Sequence, residues 1–302
     1  MPSNPEPAPG PPIPLPGPLV DADWLAQRLG APGLVLLDAS VGPHRGLPHR
    51  IPGARPFDID GALSDRMSPL PHTMPPADAL TDELRALGLD DIDTVVVYDG
   101  EGIYSSARAW WMLRALGFDR AAVLDGGLPA WTAAGRPVDP RPPHYDGPRG
   151  DFTARPRPEL LADSARVAAA LADPDSAVLD ARTAARFAGT APEPRPGLRG
   201  GHMPGALNLP FGDLLLHGRM RPPEELRARF TALTGGCHKL VFSCGSGVTA
   251  CVLALAAHLA DYADTAVYDG SWSEWGQPSE LPVVVPAIRA PGSDANERAV
   301  GA

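Results

Sequence analysis

The sequence predicts an α/β protein made of two tandem copies of one small domain, each a small, mainly parallel sheet flanked by helices. Three observations carry that prediction. The chain has 302 residues, which suits two domains of ordinary size better than one. Short apolar strands alternate with helical stretches, the pattern of parallel sheets covered by helices. The two halves also match at an offset of about 145, as between Asp99 and Cys244 (244 − 99 = 145).

Taken in order, each half opens on a strand ending in Leu-Asp-Ala, VLLDAS around Asp38 and AVLDAR around Asp180. A Pro-Gly-Ala turn follows, at Pro52-Gly53-Ala54 and Pro204-Gly205-Ala206. Next come a β-branched strand, a Gly-x-Gly loop and a helix: TVVVYDGEGIYSSARAWWMLRALG in one copy, KLVFSCGSGVTACVLALAAHLA in the other. A last strand ends in AAVLDGGLPAW or TAVYDGSWSEW, pairing Asp125 with Asp269 and Trp131 with Trp275. Those tryptophans, with Trp110 and Trp111, are expected to fill cores. Asp38, Asp180, Asp125 and Asp269 recur in both halves and are expected to cap loops.

Composition sets the outer limits. With 44 % hydrophobic and 21 % charged residues, the chain can build real cores. Its 26 Lys+Arg against 36 Asp+Glu give a net charge of −10, which argues against a nucleic-acid partner. No run of eighteen apolar residues occurs, so no membrane span is expected. Three cysteines, Cys237, Cys244 and Cys251, are too few and too odd in number for a disulfide framework, which points to a reducing, cytoplasmic setting. None lies in a CxxC pair, so no metal site is expected.

The 38 prolines mark the boundaries. Nine fall in residues 1–18, without the charged and apolar regions of a signal peptide, and predict an extended, disordered tail. A PxxP docking segment is the alternative there. Residues 139–158 lose all apolar periodicity and read as an interdomain linker, leaving domains at 19–138 and 159–286. Residues 287–302 read as a second tail.

The halves differ at one decisive place. Cys244 ends its strand where the first copy has Asp99, so thiol chemistry belongs to the second domain and the first is non-catalytic. The loop Cys244-Gly245-Ser246-Gly247-Val248-Thr249 lies at the carboxyl end of a strand, where open α/β sheets bind ligands. Its glycines let several N–H groups converge on one atom ahead of a helix, an arrangement that favours an anionic sulfur. Cys237 and Cys251 read as packing residues. Two rivals fail on the residues. The G-x-G-x-x-A fit to a dinucleotide fingerprint is short and does not include the cysteine. A cysteine phosphatase would need an arginine where Ala250 stands.

The tandem halves, the Cys-Gly-Ser-Gly-Val-Thr loop and the segment Arg186 to Arg195 (RFAGTAPEPR) closely resemble the two-domain rhodanese family, and within it the mercaptopyruvate-type sulfurtransferases. The resemblance spans about residues 19–286 and implies two rhodanese-like domains. It implies transfer of a sulfane sulfur through a Cys244 persulfide, cradled by Gly245, Ser246, Gly247, Val248 and Thr249. The acceptor would be a thiol, such as that of a thioredoxin-like protein, or cyanide, and no cofactor is called for. Thiosulfate-preferring relatives tend to carry basic residues where this chain has Gly245 and Ser246, which favours 3-mercaptopyruvate over thiosulfate as donor. In the family such a serine works with a histidine and an aspartate from the other domain, here His72 and Asp60. The alternative makes Asp60 a turn residue and His72 a solvated one. Arg186 and Arg195 lie in an insertion absent from the first half, and their guanidinium groups suit the carboxylate and carbonyl of a 2-oxo acid; Arg182 and Arg199 read as structural. A persulfide carrier serving a protein partner, and a thiosulfate-preferring enzyme, remain alternatives.

Overall fold

A computed structural model describes residues 12–285; the tail expected at 287–302 and most of the one expected at 1–18 lie outside them. The first domain comprises β1 (Leu19–Val20), α1 (Ala22–Ala26), β2 (Leu34–Asp38), β3 (Arg55–Pro56), α2 (Ala77–Ala86), β4 (Thr94–Tyr98), α3 (Ser106–Ala115), β5 (Ala121–Leu124) and α4 (Gly127–Ala133). The second comprises β6 (Leu161–Ala162), α5 (Ser164–Ala172), β7 (Ser176–Asp180), α6 (Ala184–Phe187), β8 (Leu207–Asn208), β9 (Leu215–Leu216), β10 (Arg219–Met220), α7 (Pro223–Thr234), β11 (Lys239–Ser243), α8 (Ala250–Leu259), β12 (Asp264–Tyr268) and α9 (Ser271–Trp275).

Each domain carries a five-stranded sheet, ordered β1-β5-β4-β2-β3 and β6-β12-β11-β7-β8. Every pairing within them is parallel. The permutation is the same in both, as a duplication requires. Among the described residues the one antiparallel pair of strands is the β9–β10 hairpin, which the sequence did not predict; isolated antiparallel bridges also join Arg50 to Asp139 and His202 to Val284. The hairpin strands are two residues each, too short to show an alternating pattern.

The central strands are buried on both faces, and their side chains divide between two layers. Val35, Leu37, Val95 and Val97 face α2 and α3, whereas Leu36, Val96, Tyr98 and Leu124 join a smaller cluster with α1 and α4. The larger cluster continues from one domain into the other through α3 and α8. Residues 250–257 of α8 are all fully buried, as expected of a helix that is apolar all round. Two sheets therefore sandwich a pair of central helices, and the strand-end loops that start those helices lie at the domain boundary. No helix among the described residues is long and apolar enough to cross a membrane.

Two boundary expectations change. The tail does not run free to Pro18, because Thr94 Oγ1 donates to Ile13 O at 2.7 Å and Val123 N to Pro18 O at 2.9 Å. Prolines lack a donor but keep their carbonyls, so a Pro-rich segment can still accept from the sheet. Residues 139–158 form a strap held to the first domain: Gly150 N donates to Arg85 O (2.8 Å), and Arg85 Nε to Phe152 O (2.7 Å). Phe152 is buried in the main core. A Cβ at Gly150 would lie 2.0 Å from Leu89 O, so the close approach of the strap depends on glycine.

Candidate active site

β11 delivers Cys244 into a sharp loop before α8. The carbonyls of that loop are spoken for: Trp272 N donates to Cys244 O at 3.0 Å, and Ser273 N and Oγ donate to Gly245 O at 2.9 and 2.7 Å. Trans peptides point N–H opposite to C=O, so fixing these carbonyls on α9 turns the Gly245 and Ser246 amides the other way. Gly247 has φ of 78°. A Cβ there would meet Asp269 O at 2.8 Å, so both conformation and space demand glycine. Gly245 is open for another reason: a Cβ there would stand 3.0 Å from Arg186 Nη2.

The first domain shows what this loop holds. Residues 99–106 align with 244–251 without a gap, and the Asp99 carboxylate fills the loop. Oδ1 accepts from Glu101 N and Gly102 N, and Oδ2 from Tyr104 N and Ser106 N, all at 2.9 Å, with Ser106 Oγ adding a bond of 2.6 Å. A carboxylate oxygen lies two bonds beyond Cβ, as the outer sulfur of a cysteine persulfide does. The loop in one copy therefore turns its donors onto a carboxyl group, and the other copy has the same length and glycine positions with a thiol at its base.

Around Cys244 the cleft, of about 340 Å³, is lined by Val41, His72 and Tyr104 from the first domain. The second contributes Arg186, Pro194, Arg195, Gly245, Ser246, Val248 and Thr249. His72 Nδ1 lies 2.8 Å from Ser246 Oγ, and Nε2 lies 3.1 Å from Asp60 Oδ1. The Asp60 carboxylate oxygen is the acceptor, which assigns the ring proton to Nε2 and leaves Nδ1 to accept from the serine hydroxyl. Asp60 Oδ2 also accepts Gly42 N at 3.0 Å. Burial lowers the His72 pKa from its usual value; Asp60 opposes this, and Arg195 and Arg108 reinforce it. The ring is thus held neutral near pH 7. All three residues named from the sequence come together across the domain boundary.

Arg186 and Arg195 both reach the cleft, in different states. Arg186 donates through Nε and Nη2 to the Glu193 carboxylate, with the Nη2 bond at 2.5 Å. The Glu193 side chain is itself buried and also accepts Arg182 Nη1 at 2.7 Å. Arg182 is fully buried, pairs with Asp180 at 2.6 Å and stacks 4.0 Å above Trp272, and Arg199 binds the Trp275 and Gly276 carbonyls. Two arginines and two carboxylates cancel within this network. Arg195 makes no ion pair among the described residues, so it brings the uncompensated charge.

Asp269 and Asp125 need a correction. They cap loops, but each caps a loop of the opposite domain. Asp269 Oδ2 accepts Met74 N at 2.8 Å, and Asp125 Oδ1 accepts Met220 N at 2.9 Å. Asp269 Oδ1 also pairs with the buried Arg108 at 2.6 Å, and Arg108 Nη2 donates to His72 O at 2.9 Å. Sequence reasoning missed Arg108, Glu193 and Tyr104. A lone arginine inside the apolar SARAWWML helix and a lone acid between the two insertion arginines were visible signals. Tyr104 carried none, since its role depends on the first domain's loop facing the second domain's cleft; burial, then the nearby Cys244, raises its pKa.

The Rhodanese-like domain model matches residues 21–134 and 163–278. The chain is 39 % identical to 3-mercaptopyruvate sulfurtransferase of Escherichia coli (strain K12) over 274 residues, covering 87 % of this chain and 96 % of that one. It is 40 % identical to human 3-mercaptopyruvate sulfurtransferase over 278 residues, covering 85 % and 91 %. The crystal structure of SseA from Escherichia coli, described as having the rhodanese fold of 3-mercaptopyruvate sulfotransferases, superposes with a TM-score of 0.75 at 37 % identity, covering 85 % of this chain and all of that one. With two matched domains and relatives of this identity along most of its length, the chain belongs to the rhodanese family and is one of its two-domain sulfurtransferases.

Proposed function

We propose that this sulfurtransferase takes its sulfur from 3-mercaptopyruvate, with Cys244 as the nucleophile and the first domain as a non-catalytic wall of the cleft. The observation that carries the reading is the 2.8 Å contact between Ser246 Oγ and His72 Nδ1, in a loop with no cation at positions 245 and 246. Cys244, as thiolate, attacks the donor sulfur; an S–S bond forms, and the C–S bond breaks with its electron pair leaving on the three-carbon enolate. The proton of the donor thiol passes through Ser246 and His72 to that carbon, so pyruvate departs and Cys244 keeps a persulfide anion. The neutral histidine can take and return this proton, which a lysine at position 246 would do poorly near neutral pH. Arg186 and Arg195 hold the donor's carboxylate and 2-oxo group, and the Ser246, Gly247 and Thr249 amides hold the persulfide.

An acceptor thiol then carries away the outer sulfur as its own persulfide and returns Cys244 as thiolate; a thioredoxin-like protein fits that part. The odd set of three cysteines supports a reducing, cytoplasmic setting. Steady-state kinetics with 3-mercaptopyruvate and thiosulfate test the donor. The expected result is a kcat/KM at least about tenfold higher for 3-mercaptopyruvate, roughly 1.4 kcal/mol in transition-state free energy; a preference for thiosulfate overturns the choice.

A further inference from the structure

The two copies differ at a second position beside the nucleophile loop. α9 and α4 begin at equivalent residues, Ser271 and Gly127 (271 − 127 = 144), both with positive φ, 49° and 52°. Gly127 is the expected residue for such a backbone. A Cβ there would lie 2.5 Å from the Asp99 and Gly102 carbonyl oxygens, so the first domain has no room for a side chain. The second domain holds a fully buried serine in the same strained conformation. Its hydroxyl donates to Tyr268 O at 2.7 Å and accepts Cys244 N at 3.1 Å. The next residue, Trp272, donates its N–H to Cys244 O at 3.0 Å. Cys244 is thus gripped at both its amide and its carbonyl by two consecutive residues of α9, and the amide half of the grip requires a hydroxyl.

We propose that Ser271 is a positioning residue: its hydroxyl fixes the Cys244 backbone so that the sulfur enters the amide cradle, and the second domain keeps a strained serine for that purpose. The inference rests on Cys244 being the nucleophile. Ser271 lies outside the cleft lining, so it acts on the reacting sulfur and not on donor binding.

Three variants of the full chain test it. Ser271→Gly restores the residue that the first domain uses, relieving strain while removing the hydroxyl. Its Tm is expected to stay within about 3 °C of the parent or to rise, while kcat falls about tenfold with little change in donor KM. The pH at which Cys244 reacts half-maximally with iodoacetamide is expected to move. Ser271→Ala keeps the strain and loses the bond, so Tm and kcat both fall. Wild-type kcat and an unshifted alkylation profile in Ser271→Gly would overturn the proposal, as would a kcat loss matched by a large drop in Tm. Cys244→Ser, assayed in parallel, separates the two levels: activity surviving there sinks the nucleophile assignment, whereas an inactive Cys244→Ser beside a fully active Ser271→Gly sinks only this inference.

Discussion

Asp99 and Cys244 occupy equal places in equal loops, and one residue decides what each loop can do. A carboxylate satisfied by five internal donors has no reason to react. A thiol in the same cradle gains from every donor once it carries charge or an outer sulfur. Cys244→Ser is therefore expected to abolish transfer, while Cys251→Ser retains most of it. Cys251 is the counterpart of Ser106, burial pushes its thiol up to about 12 with Arg108 opposing, and it stays protonated. A sulfur-transfer assay on both folded variants checks this, and loss of activity in Cys251→Ser would assign it a part in the chemistry. His72 gives a pH prediction. Its pKa lies below the ordinary value of 6.5, so the ring is neutral at pH 7 and becomes protonated only under more acidic conditions. The expected kcat/KM profile has an acid limb with its midpoint below pH 6.5, and His72→Asn removes that limb and costs about 10²-fold. The same shift works on stability: the unfolded chain binds this proton more readily, so stability falls as pH drops from 6.5 through the folded-state value.

At the scale of elements, α8 and α9 divide the work at the nucleophile loop. The N-terminal turn of α9 takes the carbonyls of Cys244 and Gly245, which leaves the amides ahead of α8 available to the cradle proposed for the sulfur. Gly247 joins the two by passing under the Asp269 carbonyl. Gly247→Ala would force both a positive φ on an L side chain and a contact of 2.8 Å with backbone, so thermal melts should show a loss of about 2 kcal/mol or more. Transfer should fall in step, and a variant with wild-type melting would mean that the loop can relax without harm. The β9–β10 hairpin plays the matching part for the first domain: Gly218 O approaches to 3.0 Å from where a Cβ on Gly102 would be. His217 at its tip shares positive φ with His72 (52° and 60°) and stands 145 residues later (217 − 72 = 145). Each domain thus lays one loop over the other's cradle.

For the whole molecule, the crossed clamps set the domain geometry. Asp125 and Asp269 each take one backbone amide of the opposite domain, but only Asp269 also neutralises a buried arginine. Asp125→Asn is expected to lower Tm slightly and leave kinetics near wild type. Asp269→Asn leaves the Arg108 guanidinium without its counter-ion, at a cost of about 3–5 kcal/mol, and loosens the loop that carries His72. Melting curves and kcat/KM on the pair check this: equal effects in both variants would remove any special role for the Arg108–Asp269 ion pair. The continuous core through α3 and α8 makes the domains one packed body, so stability and active-site alignment are expected to be lost together.

The sequence by itself determined the duplicated α/β plan, and it located the Cys244 loop and the arginine-bearing insertion on which the proposed function rests. These are local: strand and helix periodicity, glycine spacing and a single Asp-to-Cys exchange are written in contiguous residues. It also named Asp60, His72 and Ser246, through family likeness and not through pattern, since no periodicity links residues 174 positions apart. Only the tertiary structure decided that Asp125 and Asp269 reach across the boundary, that Glu193 pairs with both Arg186 and Arg182, that residues 139–158 are a strap, and that Ser271 holds Cys244. Each depends on which backbone group or charge is brought near by packing. Burial makes such a contact obligatory, because a polar group removed from water must find a partner that the fold alone supplies.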